Sequence, residues 1–148
     1  MEVDWGQGVP LMAGPNQIGL YDPSPETVEF WNGIRAEKLM IKRCATCAKY
    51  HHPRRLFCTA CDADTFKWVE AQGTGRVYTF STVHRAPRPE FDADVPYTVG
   101  LLELAEGIYF FSRIVPRPGA NVRIGAPVRM RFAETGPSGR LPQFEITE

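Results

Sequence analysis

Two Cys-x-x-Cys pairs, Cys44-Ala-Thr-Cys47 and Cys58-Thr-Ala-Cys61, stand ten residues apart. A tight turn between the two cysteines of a pair points both sulfurs the same way, so each pair can wrap one corner of a tetrahedral ion. Four thiolates fill the coordination shell of Zn2+ and leave no position for water, which is the arrangement of a structural metal rather than a catalytic one. Four thiolates also suit iron, and a single such pair can do redox work in a βαβ setting. Two pairs in a β-rich context point instead to one zinc ion per chain, held by Cys44, Cys47, Cys58 and Cys61. His51 and His52 lie between the pairs and could replace a cysteine. With four cysteines present they are expected to be loop residues, close to a ligand surface.

Once the metal takes all four cysteines, no thiol remains as a nucleophile. His84 is the one histidine outside the ribbon, beside Arg85 and near Arg88. No Ser-His-Asp ordering, phosphate-cradling glycine loop or His-Glu-x-x-His helix is present. Gly73-Thr74-Gly75 reads as a turn between strands, and Asp92 and Asp94 read as solvated carboxylates. The chain is not expected to be an enzyme on its own.

Lys plus Arg and Asp plus Glu both number 17 in the 148 residues, so no overall field favours nucleic acid or an acidic membrane. Locally the balance fails. Arg35, Lys38, Lys42, Arg43, Lys49, Arg54 and Arg55 face a single acid, Glu37, in the same stretch. An anionic partner is expected there. The start, Met1-Glu-Val-Asp-Trp5, is acidic and lacks an apolar run, and no stretch is apolar enough to span a bilayer. A cytoplasmic protein is expected, where paired cysteines serve metals more often than disulfides.

The elements that must position these residues fall into three parts: an arm and helix (1–37), a zinc ribbon (38–66) and a barrel (67–148). The arm, 1–23, is rich in Gly and Pro with scattered apolar residues, and reads as an extended segment that lies on a surface or stays disordered. Ser24-Pro25-Glu26-Thr27 reads as a helix start with Ser24 as N-cap, and the helix runs to about Glu37. Val28, Trp31, Ile34 and Arg35 fall near one face, with Phe30 beside it; Gly33 weakens the helix. Residues 39–43 form a strand into the first cysteine pair. Strands are then expected at 66–71, 76–84, 97–104, 108–115, 128–133 and 143–146, separated by Gly- and Pro-rich turns, including 136–139. That pattern fits a mainly β chain ending in an OB-fold barrel. Along Val77–Val83 strict alternation places Val77, Thr79, Ser81 and Val83 on one face and Tyr78, Phe80 and Thr82 on the other.

Cys44-x-x-Cys47, His52-Pro53-Arg54, Cys58-x-x-Cys61, Gly73-Thr74-Gly75-Arg76-Val77-Tyr78, Pro96-Tyr97 and Ile124-Gly125-Ala126-Pro127-Val128 together resemble one family. It is the acyl-CoA-associated family that joins a rubredoxin-like zinc ribbon to an OB-fold, long catalogued as a domain of unknown function. The resemblance runs from about Phe30 to Phe144. Ala48 and Asp62 depart from it, since the family often has Gly after a cysteine pair. The resemblance implies a small accessory subunit of a thiolase-like enzyme, with the catalytic cysteine and histidines on the larger partner. It further implies a heterotetramer that cleaves a bulky β-oxoacyl-CoA, aromatic as in benzoylsuccinyl-CoA thiolase, or else a steroid side-chain retro-aldolase. The short arm from Met1 fits a free-standing small subunit.

CoA carries phosphates, so under this resemblance Lys42, Arg43, Arg54 and Arg55, with Lys49 nearby, become candidate CoA or acyl-CoA contacts. The 85–96 loop is a candidate lid or partner contact, with His84, Arg85, Arg88 and Phe91 as its residues. Two other classes compete with this reading. A nucleic-acid-binding module is common among zinc ribbons and OB-folds, but zero net charge and strand aromatics that read mostly as core weigh against it. A stand-alone enzyme would have to rely on His84.

Overall fold

The structure is a computed structural model, and it describes residues 24–134 and 140–148. The arm expected at 1–23 and the turn expected at 136–139 lie outside the described residues. Among the described residues one helix, α1 (Val28–Arg35), precedes eight strands: β1 (Met40–Cys44), β2 (Tyr50–His51), β3 (Phe66–Glu70), β4 (Thr74–Val83), β5 (Tyr97–Leu104), β6 (Tyr109–Val115), β7 (Pro127–Glu134) and β8 (Arg140–Ile146). A single 3-10 turn, Pro89–Phe91, interrupts the loop between β4 and β5. None of the described helices is long and apolar enough to cross a membrane.

The strands form two units. β2, β1 and β3 make a small antiparallel sheet in that order, and β4-β5-β6-β8-β7 close into a barrel. All barrel pairings are antiparallel except β6 with β8. That single parallel contact closes the Greek key expected of an OB-fold.

Ser24 does not cap the helix. Thr27 occupies the cap position without a side-chain cap bond, and its N–H donates to the Ser24 carbonyl at 2.9 Å in a turn that precedes the helix. The chain then leaves the helix at Ala36, because Glu37 is left-handed (φ 59°), a backbone state an α-helix cannot hold. The buried face is Phe30, Gly33 and Ile34, while Val28 is exposed. Packing decides this rotation, for Phe30 stacks on Phe110 of the barrel at 6.2 Å. Gly33 is explained by crowding: a Cβ there would collide with the Met40 side chain and the Lys38 carbonyl. The helix tolerates glycine because β1 passes directly over it.

β4 corrects the alternation expected along it. Val77 pairs with Leu102 and Thr79 with Leu101, so Tyr78 is an extra residue in a bulge. Beyond the bulge the facing inverts, because Leu101 and Leu102 point to opposite sides of their strand. Val77 is buried, whereas Tyr78 is 53% exposed and stacks on Tyr109 at 4.9 Å. The core itself is one cluster. Phe30 and Ile34 from the helix, Leu39 and Ile41 from the ribbon side, and Val77, Leu102, Ile114, Phe144 and Ile146 from the barrel pack together.

Candidate metal centre and its surroundings

Cys44 ends β1 and Cys47 follows in its turn; Cys58 and Cys61 repeat the pattern before β3. Both turns close with the same backbone bonds. The N–H four residues on (Ala48, Asp62) donates to the first cysteine's carbonyl at 3.0 Å, and the first cysteine's N–H donates to the carbonyl five residues on (Lys49, Ala63) at 2.8 Å. Ala48 (φ 64°) and Asp62 (φ 58°) therefore sit in the left-handed region, the positions where the related pattern has glycine.

These two knuckles bring the four sulfurs within 4.8 Å of one another. Cys44 and Cys61 Sγ are 3.6 Å apart, and Cys47 and Cys58 Sγ 3.4 Å. Four sulfurs at about 2.3 Å from a tetrahedral zinc ion would stand about 3.8 Å from each other, far beyond a disulfide and close to these spacings. Backbone N–H groups of Thr46, Cys47 and Ala60 aim at Cys44 and Cys58 Sγ at 3.4 to 3.5 Å, where they stabilise thiolates. The Cys47 N–H, ahead of that of Thr46, brings the Cys44 thiol down to about 6 against the cost of its burial. At Cys61 the Ala63 N–H pulls the other way, yet desolvation and the three neighbouring sulfurs prevail and push it up to about 12. Four thiols gathered this closely cannot all ionise without a cation among them, so the donor set fits one structural zinc ion.

His51 is not a loop residue. It belongs to β2, is buried, and places Nε2 3.2 Å from Cys58 Sγ while its ring meets Phe66 edge-on. It is an outer partner of a ligand, and nothing in the residue spacing marks that role. His52 packs on the barrel's Phe110 at 5.6 Å, and its Nδ1 accepts from the Arg54 N–H at 3.2 Å. Desolvation, aided by Arg54, Arg55 and Lys42, holds His52 below the usual histidine range.

The structure separates the four candidate cations. Arg54 and Arg55 are exposed at the tip of the loop between the knuckles, followed by exposed Leu56 and Phe57. Arg43 is exposed too, with Nε donating to the Ala48 carbonyl and its guanidinium over the Tyr50 ring. Lys42 is buried: its Nζ donates to the Arg55 carbonyl at 2.9 Å and lies over Phe66 and Trp68. Its work is to hold the Arg54–Arg55 loop against the ribbon sheet. His84, Arg85 and Arg88 are exposed on the loop after β4, and Phe91 packs against Tyr97 at 6.4 Å. The strand aromatics expected to be mostly core divide instead. Phe110 and Phe144 are buried, but Tyr78, Phe80, Tyr109 and Phe111 are exposed. An open cavity of about 330 Å³ lies elsewhere on the barrel, lined by Tyr97, Thr98, Arg113, Arg131 and Gln143 among others.

A four-cysteine ribbon packed through a shared core onto a five-stranded OB-type barrel defines the class of this protein. Residues 31–67 match the rubredoxin-like zinc ribbon domain of ChsH2, and residues 68–133 its C-terminal OB-fold domain. The chain belongs to this family, the DUF35 family. It is 36% identical over 116 residues to a probable enoyl-CoA hydratase alpha subunit of Thermomonospora curvata, covering 78% of this chain but only 36% of that one. It is 34% identical to a DUF35 domain-containing scaffold protein of Methanocaldococcus jannaschii, covering 76% of this chain and 82% of that one. A benzoylsuccinyl-CoA thiolase subunit, BbsA of Thauera aromatica, is 26% identical over 65% of each chain. Among solved structures, a chain of the Ltp2-ChsH2(DUF35) aldolase superposes with a TM-score of 0.74 at 32% identity, over 85% of this chain and 98% of that one.

Proposed function

We propose that this chain is a non-catalytic zinc-ribbon and OB-fold subunit of an acyl-CoA-processing complex, cytoplasmic, with a thiolase-like enzyme as its catalytic partner. The observation that carries the reading is the superposition on a chain of the Ltp2-ChsH2(DUF35) aldolase, over 85% of this chain and 98% of that one. The exposed apolar side chains support it, because Leu56, Phe57, Tyr78 and Phe111 are costly to leave in water and suited to a protein partner. The metal site supports it as well, since a shell of four thiolates does no chemistry of its own. In this reading Arg54, Arg55 and Arg43 meet the phosphates of CoA or acyl-CoA beside the partner's entrance, and Lys42 fixes their loop. The 84–91 segment lies at the rim of the same entrance. The complex is a heterotetramer, and its reaction is either thiolytic cleavage of a bulky β-oxoacyl-CoA, such as a benzoylsuccinyl type, or retro-aldol cleavage of a steroid side chain. The relatives support the two reactions equally.

Affinity purification of the tagged chain from its own host, followed by mass spectrometry, tests the reading. A thiolase-like chain at stoichiometric yield is expected, and its absence under gentle salt sinks the proposal. The exposed Tyr78, Tyr109 and Phe111 favour one second reading, a single-stranded nucleic acid stacked on the barrel. A salt-dependent gel shift of a labelled oligonucleotide would bring that reading forward.

A further inference from the structure

We propose that Arg113, Gln143 and Arg131 form a binding site for a phosphate group, free or esterified, on the outer face of the barrel. The register carries this placement. Arg113 of β6 pairs with Gln143 of β8, and Gln143 pairs with Arg131 of β7, so the three stand in one cross-strand row. Neighbouring strands lie about 4.8 Å apart, which sets the two arginines about 10 Å apart at the backbone with the amide between them. All three line the open cavity, together with Thr98 and Tyr97.

Arg113 is already oriented. Its guanidinium lies over the Tyr97 ring at 4.8 Å, and its Nη1 donates to Asp94 Oδ2 at 2.9 Å. Arg131 meets Glu145 only at 3.8 Å, longer than a hydrogen bond. Both pairs are partly exposed, so solvent screens them and an incoming anion can replace either carboxylate. Arg129 stands opposite Glu145 in the next row and adds a third cation on the same barrel face. One bidentate guanidinium fork already engages both oxygens of a carboxylate. A phosphate offers enough oxygens for two forks and the Gln143 amide at once, which selects phosphate as the ligand class. Occupation would set Asp94 free from Arg113 and with it the loop that carries Phe91. The site is independent of the partner reading, because it can be tested on this chain alone.

The test is a titration of the full-length, zinc-loaded chain at constant ionic strength, followed by the Gln143 side-chain amide and arginine Nε–H resonances. Inorganic phosphate, adenosine monophosphate and acetate are the three ligands. Saturable shifts with phosphate or with the monoester are expected, and whichever binds more tightly identifies the free or esterified form. Arg113→Gln and Arg131→Gln should each weaken binding about tenfold or more. Asp94→Asn should tighten it, because a competing carboxylate is gone. Arg117→Gln should leave it unchanged, since that guanidinium donates to the Thr147 carbonyl and does not line the cavity. If Arg113→Gln disturbs the fold, Arg131→Gln carries the test alone. Three results overturn the site: no saturation by either phosphate ligand, acetate binding as tightly as phosphate, or an affinity left unchanged by Arg131→Gln.

Discussion

At the scale of single residues, the two knuckles carry a local cost that can be removed. Ala48 and Asp62 hold left-handed backbone that glycine adopts without strain. Ala48→Gly should stabilise the ribbon by up to about 1 kcal/mol, part of the relief being offset by the freer unfolded chain. Thermal melting of the zinc-loaded protein checks this, and a lowered midpoint would contradict it. His52 supplies a pH dependence. It is held neutral when folded, so it takes up a proton more readily in the unfolded chain. Its contribution is therefore complete above the ordinary histidine value of about 6.5 and is lost as the pH falls from there toward the lower folded value. A proton on Nδ1 would also break the bond it accepts from the Arg54 N–H. His52→Gln should flatten the acid side of a plot of melting temperature against pH. An unchanged slope would place the titrating group elsewhere.

At the scale of elements, the contact of α1 with β1 is set by one absent side chain. Gly33 looks like a flaw in the helix when only propensity is considered, yet it is where Met40 and the Lys38 carbonyl close on the backbone. Gly33→Ala would normally favour a helix by about 1 kcal/mol. Here overpacking prevails, and a loss of about 1–3 kcal/mol is expected in chemical denaturation. A gain in stability would show that β1 can move aside. The same scale explains β4, where the extra residue Tyr78 turns a regular apolar-polar pattern into a buried Val77 followed by an exposed tyrosine. Periodicity cannot register an inserted residue, because the bulge is defined only by the strand it pairs with.

At the scale of the molecule, the metal and the barrel share their stability. β1 ends in Cys44 and also sends Leu39 and Ile41, from its start and the residue before it, into the core that holds Phe144 and Ile146. Removing zinc with a strong chelator should thus loosen more than the ribbon. The expected result is a lower and broader melting transition of the whole chain, reversed by adding zinc back in reducing buffer. If barrel amides exchange hydrogen at the same rate with and without metal, the two parts are energetically separate. Cys58→Ala should mimic the chelated state, since it removes a ligand and also the partner of His51.

What the amino-acid sequence determined by itself was the metal site, the positions of most strands along the chain and the ribbon-plus-barrel class. Each of these depends on short spacings: two Cys-x-x-Cys turns, and runs of β-formers ended by Gly or Pro. The related pattern added the family. Tertiary structure decided everything that depends on what approaches from elsewhere in the chain. It buried Lys42 beneath the Arg54–Arg55 loop and turned Phe30 rather than Val28 inward. It set His51 against Cys58 and left Phe111 in solvent beside a buried Phe110. It also drew Arg113, Gln143 and Arg131 into one row from three separate strands. Those contacts join residues far apart along the chain, and spacing carries no signal of a neighbour that folding alone supplies.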